Sequence, residues 1–139
     1  KKICLLFNEQ EIRYASAVQI ENLKSLVAQG FSIGLNEFAK DRCELNLLTE
    51  FKFDYLLLSS TFSKRVLQQE NYHLQLQGVL AITHIQNIQV IAKGPSIFNY
   101  RTLLDKHGLS LFIGKQHALA PFNKETTSTH STIPLDINI

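Results

Sequence analysis

Methionine and tryptophan are absent from these 139 residues, and cysteine, proline and glycine are scarce at two, three and six. Cys4 and Cys43 lie far apart, with neither a C-x-x-C pair nor a Cys/His ligand spacing. That excludes a disulfide framework and reads as two reduced thiols in a cytoplasmic-type compartment. Long apolar runs are also lacking: none reaches the roughly 18 residues of a membrane span, and no charged-then-apolar leader opens the sequence. Nor is there an excess of one charge, since 14 Lys plus Arg against 12 Asp plus Glu leave a formal +2. The basic residues are scattered, so no direct nucleic-acid contact is expected. A start at Lys1-Lys2 in a chain without methionine reads as a piece of a longer protein. What is present is 45% hydrophobic and 19% charged, enough for one domain that buries roughly two-thirds of its unfolded surface without staples.

The apolar residues alternate between two periods. Ile3 to Phe7 is a short continuous run of the kind buried on both faces of a parallel sheet. Ala17, Ile20, Leu23 and Val27 recur at helical spacing up to Gly30, which stands where a helix stops. Phe31–Leu35 predicts a second strand, Leu45 to Leu48 a short helix, and Tyr55–Leu58 a third strand. Two helical patches between Thr61 and Gln86 break near Asn71, and Ile88–Ala92 predicts a fourth strand. Pro95 and Ser96 would open a helix to about His107, and Leu109–Ile113 would be a fifth strand. Strand and helix in alternation give an α/β class with mainly parallel strands, either an open doubly wound sheet or part of a (β/α)8 barrel. Residues 1–122 form the domain, and 123–139 read as a polar, flexible tail whose Ile133, Leu135, Ile137 and Ile139 could dock.

The common chemical motifs are missing. His73, His84, His107, His117 and His130 show no H-E-x-x-H or comparable spacing and are read as surface or cap residues. Ser59 and Ser96 have no histidine at a motif-like position, so capping is the expectation for both. Gly34, Gly94 and Gly114 sit in no G-x-G-x-x-G or P-loop context and read as packing or turn glycines.

The stretch from Gly30 through Phe-Ser-Ile-Gly-Leu-Asn-Glu-Phe to Ala39, then Leu45, Leu48, the strand to Leu58 and Ser60-Thr61-Phe62, resembles the centre of the EAL domains. These are the cyclic di-GMP phosphodiesterases and their inactive relatives. Their A-L-D-D-F-G, K-I-D and R-S-F motifs fall in this order and spacing. Val90 to Gly94 is similar to their V-A-E-G, Leu103, Leu104 and Gly108 to L-L-x-x-L-G, Ile113-Gly114 to Q-G, and Pro121 to the terminal R-P. The likeness runs ungapped from about Ile3 to Gly114, and the E-A-L signature itself would lie upstream of Lys1. It implies the C-terminal part of a TIM-like (β/α)8 barrel, with sites at the C-terminal strand ends.

The family's chemistry is phosphodiester hydrolysis by clustered carboxylates, two divalent ions and a lysine, and the resemblance places this chain's departures on those positions. E-I-T-E falls on Leu6-Phe7-Asn8-Glu9, so an aliphatic side chain replaces the first acid and Glu9 remains. D-D falls on Asn36-Glu37, and K-I-D on Leu57-Leu58-Ser59. A-E-G-V-E falls on Ala92-Lys93-Gly94-Pro95-Ser96, turning one acid into a cation and another into a hydroxyl, and the Gln falls on Ile113. Leu57 would fill space vacated by the lysine and its metal and water network, and Glu9, Glu37 and Lys93 would form a salt-bridged plug.

Leu6, Glu9, Asn36, Glu37, Leu57, Ser59, Lys93, Ser96 and Ile113 are thus expected to form a vestigial pocket with no metal, no cofactor and no catalytic residue. On this reading the chain is no enzyme. It is a regulatory EAL-like module of bacterial signalling that acts on a protein partner, cytoplasmic or the C-terminal domain of a membrane-anchored protein. The uncharged Leu6, Ser59 and Ile113 argue against cyclic di-GMP, although a non-hydrolysing cyclic di-GMP receptor is the alternative. Unpaired edges on the first and last strands would be hidden by a homodimer, an exchange of elements or a departure from the barrel.

Overall fold

The computed structural model describes residues 3–94, 102, 105, 106 and 112–114. Ser96, the side chain of Ile113, most of the expected helix after Ser96 and the 123–139 tail lie outside them. Five strands run β1 (Cys4–Asn8), β2 (Ser32–Phe38), β3 (Tyr55–Leu58), β4 (Gln89–Gly94) and β5 (Phe112–Gly114). They form one sheet in the order β1-β2-β3-β4-β5, every pair parallel. Each crossover therefore adds its strand beside the last, as in the wall of a (β/α)8 barrel, and among the described strands β1 and β5 stand at the two ends of the order.

Between the strands lie α1 (Glu9–Arg13), α2 (Ala17–Ala28), α3 (Leu47–Glu50), α4 (Ser60–Gln68) and α5 (Asn71–Gln86). Local chemistry sets their ends. At α2 the Ser16 hydroxyl accepts from Gln19 N at 3.2 Å while Gln19 Oε1 accepts from Ser16 N at 2.8 Å, a capping box. The same helix stops at Gly30, whose φ of +98° is costly for any residue with a Cβ. Helix α5 ends on Asn87 at φ +60°, a left-handed position that asparagine tolerates.

The helices cover one face of the sheet. Leu35, Phe38, Leu48, Leu56, Leu58, Phe62, Val66, Leu76, Val79 and Ala92 belong to that core and are essentially inaccessible. Leu57 and Ile91 are equally buried but stand outside this cluster, because strand pleating turns alternate residues to the opposite face. The N-terminal ends of three strands are tied by Asp54. Its Oδ2 accepts from Ile33 N at 3.0 Å, its N–H donates to Ile33 O at 2.7 Å, and its carbonyl accepts from Gln89 N at 2.9 Å.

Three elements depart from the sequence reading. Helix α1 arises where no helix is expected, β4 runs two residues beyond Ala92 to Gly94, and β2 runs three residues beyond Leu35 to Phe38. The β2 extension is the irregular one: the β2–β3 register shifts between Leu35 and Phe38, and Glu37 and Ala39 adopt φ of +55° and +60°. Left-handed backbone at two non-glycine residues costs about 1–2 kcal/mol each, so surrounding contacts must hold it.

Candidate functional site

The C-terminal ends of β1, β2, β3 and β4 bring Asn8, Asn36, Ser59 and Lys93 to one rim of the sheet. Lys93 reaches from β4 over the end of β3 to β2, where its Nζ donates to Asn36 Oδ1 at 2.6 Å and to Glu37 Oε1 at 2.8 Å. Its side chain is 21% exposed and that of Glu37 38%. At the end of β3, between these two strands, Leu58 and Ser59 are fully buried. The Ser59 hydroxyl accepts from Phe62 N at 3.0 Å and so caps α4. One turn on, the Ser63 hydroxyl lies against the carbonyls of Ser59 and Lys93. Helix α4 thereby fixes the backbone from which Lys93 extends.

Glu9 does not join that bridge, and the expected three-residue plug is corrected to Asn36, Glu37 and Lys93. Glu9 is buried at the first residue of α1, where its Oε1 accepts from Ala39 N at 2.8 Å and its Oε2 lies 3.6 Å from Arg13, which also pairs with Glu44 at 3.0 Å. The amide it accepts from belongs to a left-handed residue, so Glu9 holds the bulged end of β2 in place. Arg13, Ser63 and Asp54 had no motif to announce them. Arg13 lies four residues after Glu9, at the spacing of a helical ion pair, and that was the available signal.

Burial raises the pKa of Glu9 above its ordinary 4.5, outweighing the Ala39 amide and Arg13, which lower it. The folded state then holds the proton more tightly than the unfolded chain does. Stability contributed by protonated Glu9 is complete below about 4.5 and is lost as pH rises through the raised value. Glu9→Gln has no such titration. Urea unfolding of both proteins from about pH 8 to pH 4 should show the parent gaining on the variant as pH falls, and a constant or oppositely sloped difference would refute the assignment.

Leu6 lies on the inward face of β1, its Cδ2 only 2.4 Å from where a Cβ on Gly34 would stand. Leu57 is buried on that face, and the register sets Ile113 opposite Lys93. Both thiols are free, and burial pushes each up to about 11, with the Asp54 charge adding to the effect at Cys4 and that of Glu9 at Cys43. They stay protonated and poorly nucleophilic near neutrality.

The resemblance implies divalent ions at this rim, and the described donors do not fit one. Asn36 Oδ1 and Glu37 Oε1 are engaged by an ammonium, and Glu9 Oε1 by a backbone N–H. Among the described residues no group of three or more His, Cys, Asp or Glu could hold a metal ion. Likewise among them, no helix is long and apolar enough to cross a membrane.

The model of the EAL domain family matches residues 1–96. No curated protein matches the chain. Among solved structures, Klebsiella pneumoniae BlrP1 in a calcium/cyclic di-GMP complex is similar at TM-score 0.74 and 20% identity, over 81% of this chain and 28% of that one. The EAL domain of Mycobacterium smegmatis DcpA matches at TM-score 0.66 and 19% identity, over 77% and 48%. The PaMucR phosphodiesterase in complex with c-di-GMP matches at 0.66 and 17%, over 77% and 43%. The chain thus spans less than half the length of each of these structures, and the likeness bears out the α/β, TIM-like fold. These findings overturn the expectation that the chain is no enzyme: the solved structures it resembles include a phosphodiesterase and the EAL enzyme Bd1971. With the family model matched over more than two-thirds of its length, and a parallel sheet of the same architecture beneath it, this chain belongs to the EAL domain family.

Proposed function

We propose that this chain is part of a regulatory module in cyclic di-GMP signalling, and that the dinucleotide is met at the rim formed by β2 and β4. The observation that carries the reading is the polar cluster of Asn36, Glu37 and Lys93 at the C-terminal strand ends, the end at which barrels of this architecture place their sites. Solved relatives in complex with the dinucleotide support the choice of ligand. The test is a calorimetric titration of cyclic di-GMP into the full-length protein, with the same samples separated chromatographically for a linear dinucleotide product. Saturable heat supports the reading. No heat at high ligand concentration overturns it, and product formation would assign turnover to the rim.

A second reading, contact with a protein partner, is favoured by one feature. An apolar groove of about 500 Å³ runs between β1, α1 and α2, lined by Phe7, Ile12, Tyr14, Leu23 and Leu26. Tyr14 and, on the neighbouring turn, Val18 are 77% and 70% exposed. If a partner sits there, Tyr14→Asp should abolish its capture while leaving cyclic di-GMP binding unchanged, and capture undiminished by that change would dismiss the groove.

A further inference from the structure

The rim holds a cation that is covalently part of the chain. Three structural features fix it: its backbone carbonyl is held by Ser63 on α4, its aliphatic stem crosses the buried end of β3, and its Nζ is seated between Asn36 Oδ1 and Glu37 Oε1. An ammonium has three N–H bonds. Two are spent on these oxygens, which leaves the third available at the partly exposed tip. The same seating fixes the amide of Asn36. Because only its oxygen can accept from Lys93, its NH2 group faces the other way, and no hydrogen-bond partner for it stands among the described residues. A charged N–H and a neutral amide N–H are therefore both left over at this rim, donors of the kind that the oxygens of a phosphodiester accept from.

Glu37 neutralises part of the field of Lys93, and Glu9 and Asp41 line the adjoining recess. That recess also holds a second cation, Lys40. An anion is attracted at short range, through hydrogen bonds, more than by a broad positive potential.

We propose, resting on the cyclic di-GMP reading above, that Lys93 and Asn36 bind a phosphodiester oxygen of the dinucleotide directly, so that binding at this strand end needs no divalent cation. Lys93 is a binding residue here, taking by its tethered ammonium the place in the charge balance that a metal ion would otherwise fill. Because the ammonium is already seated, little water has to be stripped from it when the ligand arrives.

The full-length protein is titrated with cyclic di-GMP in EDTA and again in millimolar Mg2+. The parent should bind with the same Kd, within about twofold, in both. Lys93→Met should weaken binding about tenfold or more in both, the usual scale for a lost charge-assisted hydrogen bond. Lys93→Arg should retain most of the affinity. Lys93→Glu, which puts an acid beside Glu37, should bind poorly in EDTA and recover in Mg2+. Thermal melts of each variant separate lost folding from lost contact, and the arginine variant keeps the test open should methionine unfold the chain. Parent binding that appears only with Mg2+ overturns this inference and leaves the cyclic di-GMP reading standing. Unchanged affinity in a folded Lys93→Met protein does the same. No binding in either medium overturns both.

Discussion

Phe38→Ala is expected to lower the folding free energy by about 3–5 kcal/mol, the usual cost of emptying a buried aromatic site, and to loosen the candidate site with it. Phe38 is fully inaccessible and belongs to the core cluster that also includes Leu48, Leu58 and Phe62. It follows Asn36 and Glu37 on the irregular end of β2, where the register shifts and where Glu37 and Ala39 are left-handed on either side of it. Its ring is thus an anchor for a strained segment. The carbonyl of Phe38 also accepts from Ser59 N at 2.9 Å, which ties that segment to the start of α4. Chemical unfolding should show the loss directly. A loss below about 1 kcal/mol would mean that the neighbours collapse into the vacated space and that the polar ties through Glu9, Ser59 and Lys93 hold the bulge without the ring.

Why some of this was legible and some was not follows from the kind of signal each residue carries. Tyr55–Leu58 and Ile88–Ala92 were readable as strands because parallel strands covered on both faces are apolar throughout. The break between α4 and α5 was readable from the failing period near Asn71. Helix α1 was not, since Glu9-Gln10-Glu11-Ile12-Arg13 offers one apolar residue to a periodicity search. Its signal was Asn8 with Glu11 three residues on, and in the structure Glu11 Oε2 accepts from Asn8 N at 2.7 Å. Lys93 lies more than fifty residues from Asn36 and Glu37, and no spacing rule connects them. Only their positions in the EAL resemblance put them on one rim. The resemblance put Glu9 in the plug and missed its role, because its partner is the backbone N–H of Ala39, presented by a left-handed turn that no residue type in the stretch requires. It also led to an expectation of no enzyme that the family does not bear out. Side-chain losses at single positions are read from residue types, whereas membership of an enzyme family is read from the whole stretch.

The inward face of the sheet makes a second large prediction, which separates packing from any role in binding. Gly34 pairs with Leu6 on β1 and with Tyr55 on β3, and a Cβ there would meet Leu6 Cδ2 at 2.4 Å and Tyr55 Cβ at 3.3 Å. The first contact is with the end of a flexible side chain, which can move. The second is with a Cβ atom, which can move only with its backbone. Gly34→Ala should therefore be tolerated with a shift of Leu6. Gly34→Val adds two further methyl groups and should destabilise by about 2–3 kcal/mol, within the range for overpacked cores. Adding Leu6→Ala opens the space above Gly34, so the double variant should be more stable than Gly34→Val alone, with a coupling of about 1 kcal/mol or more. The pair speaks to the site as well, because Leu6 stands where the resemblance expects the first acid of E-I-T-E. If its present use is to cover Gly34, the double variant recovers stability without altering cyclic di-GMP affinity. Additive losses in the cycle would show that the strain is lodged against Tyr55 instead, and that the width of the β2–β3 pair, more than the side chain at position 6, makes glycine necessary here.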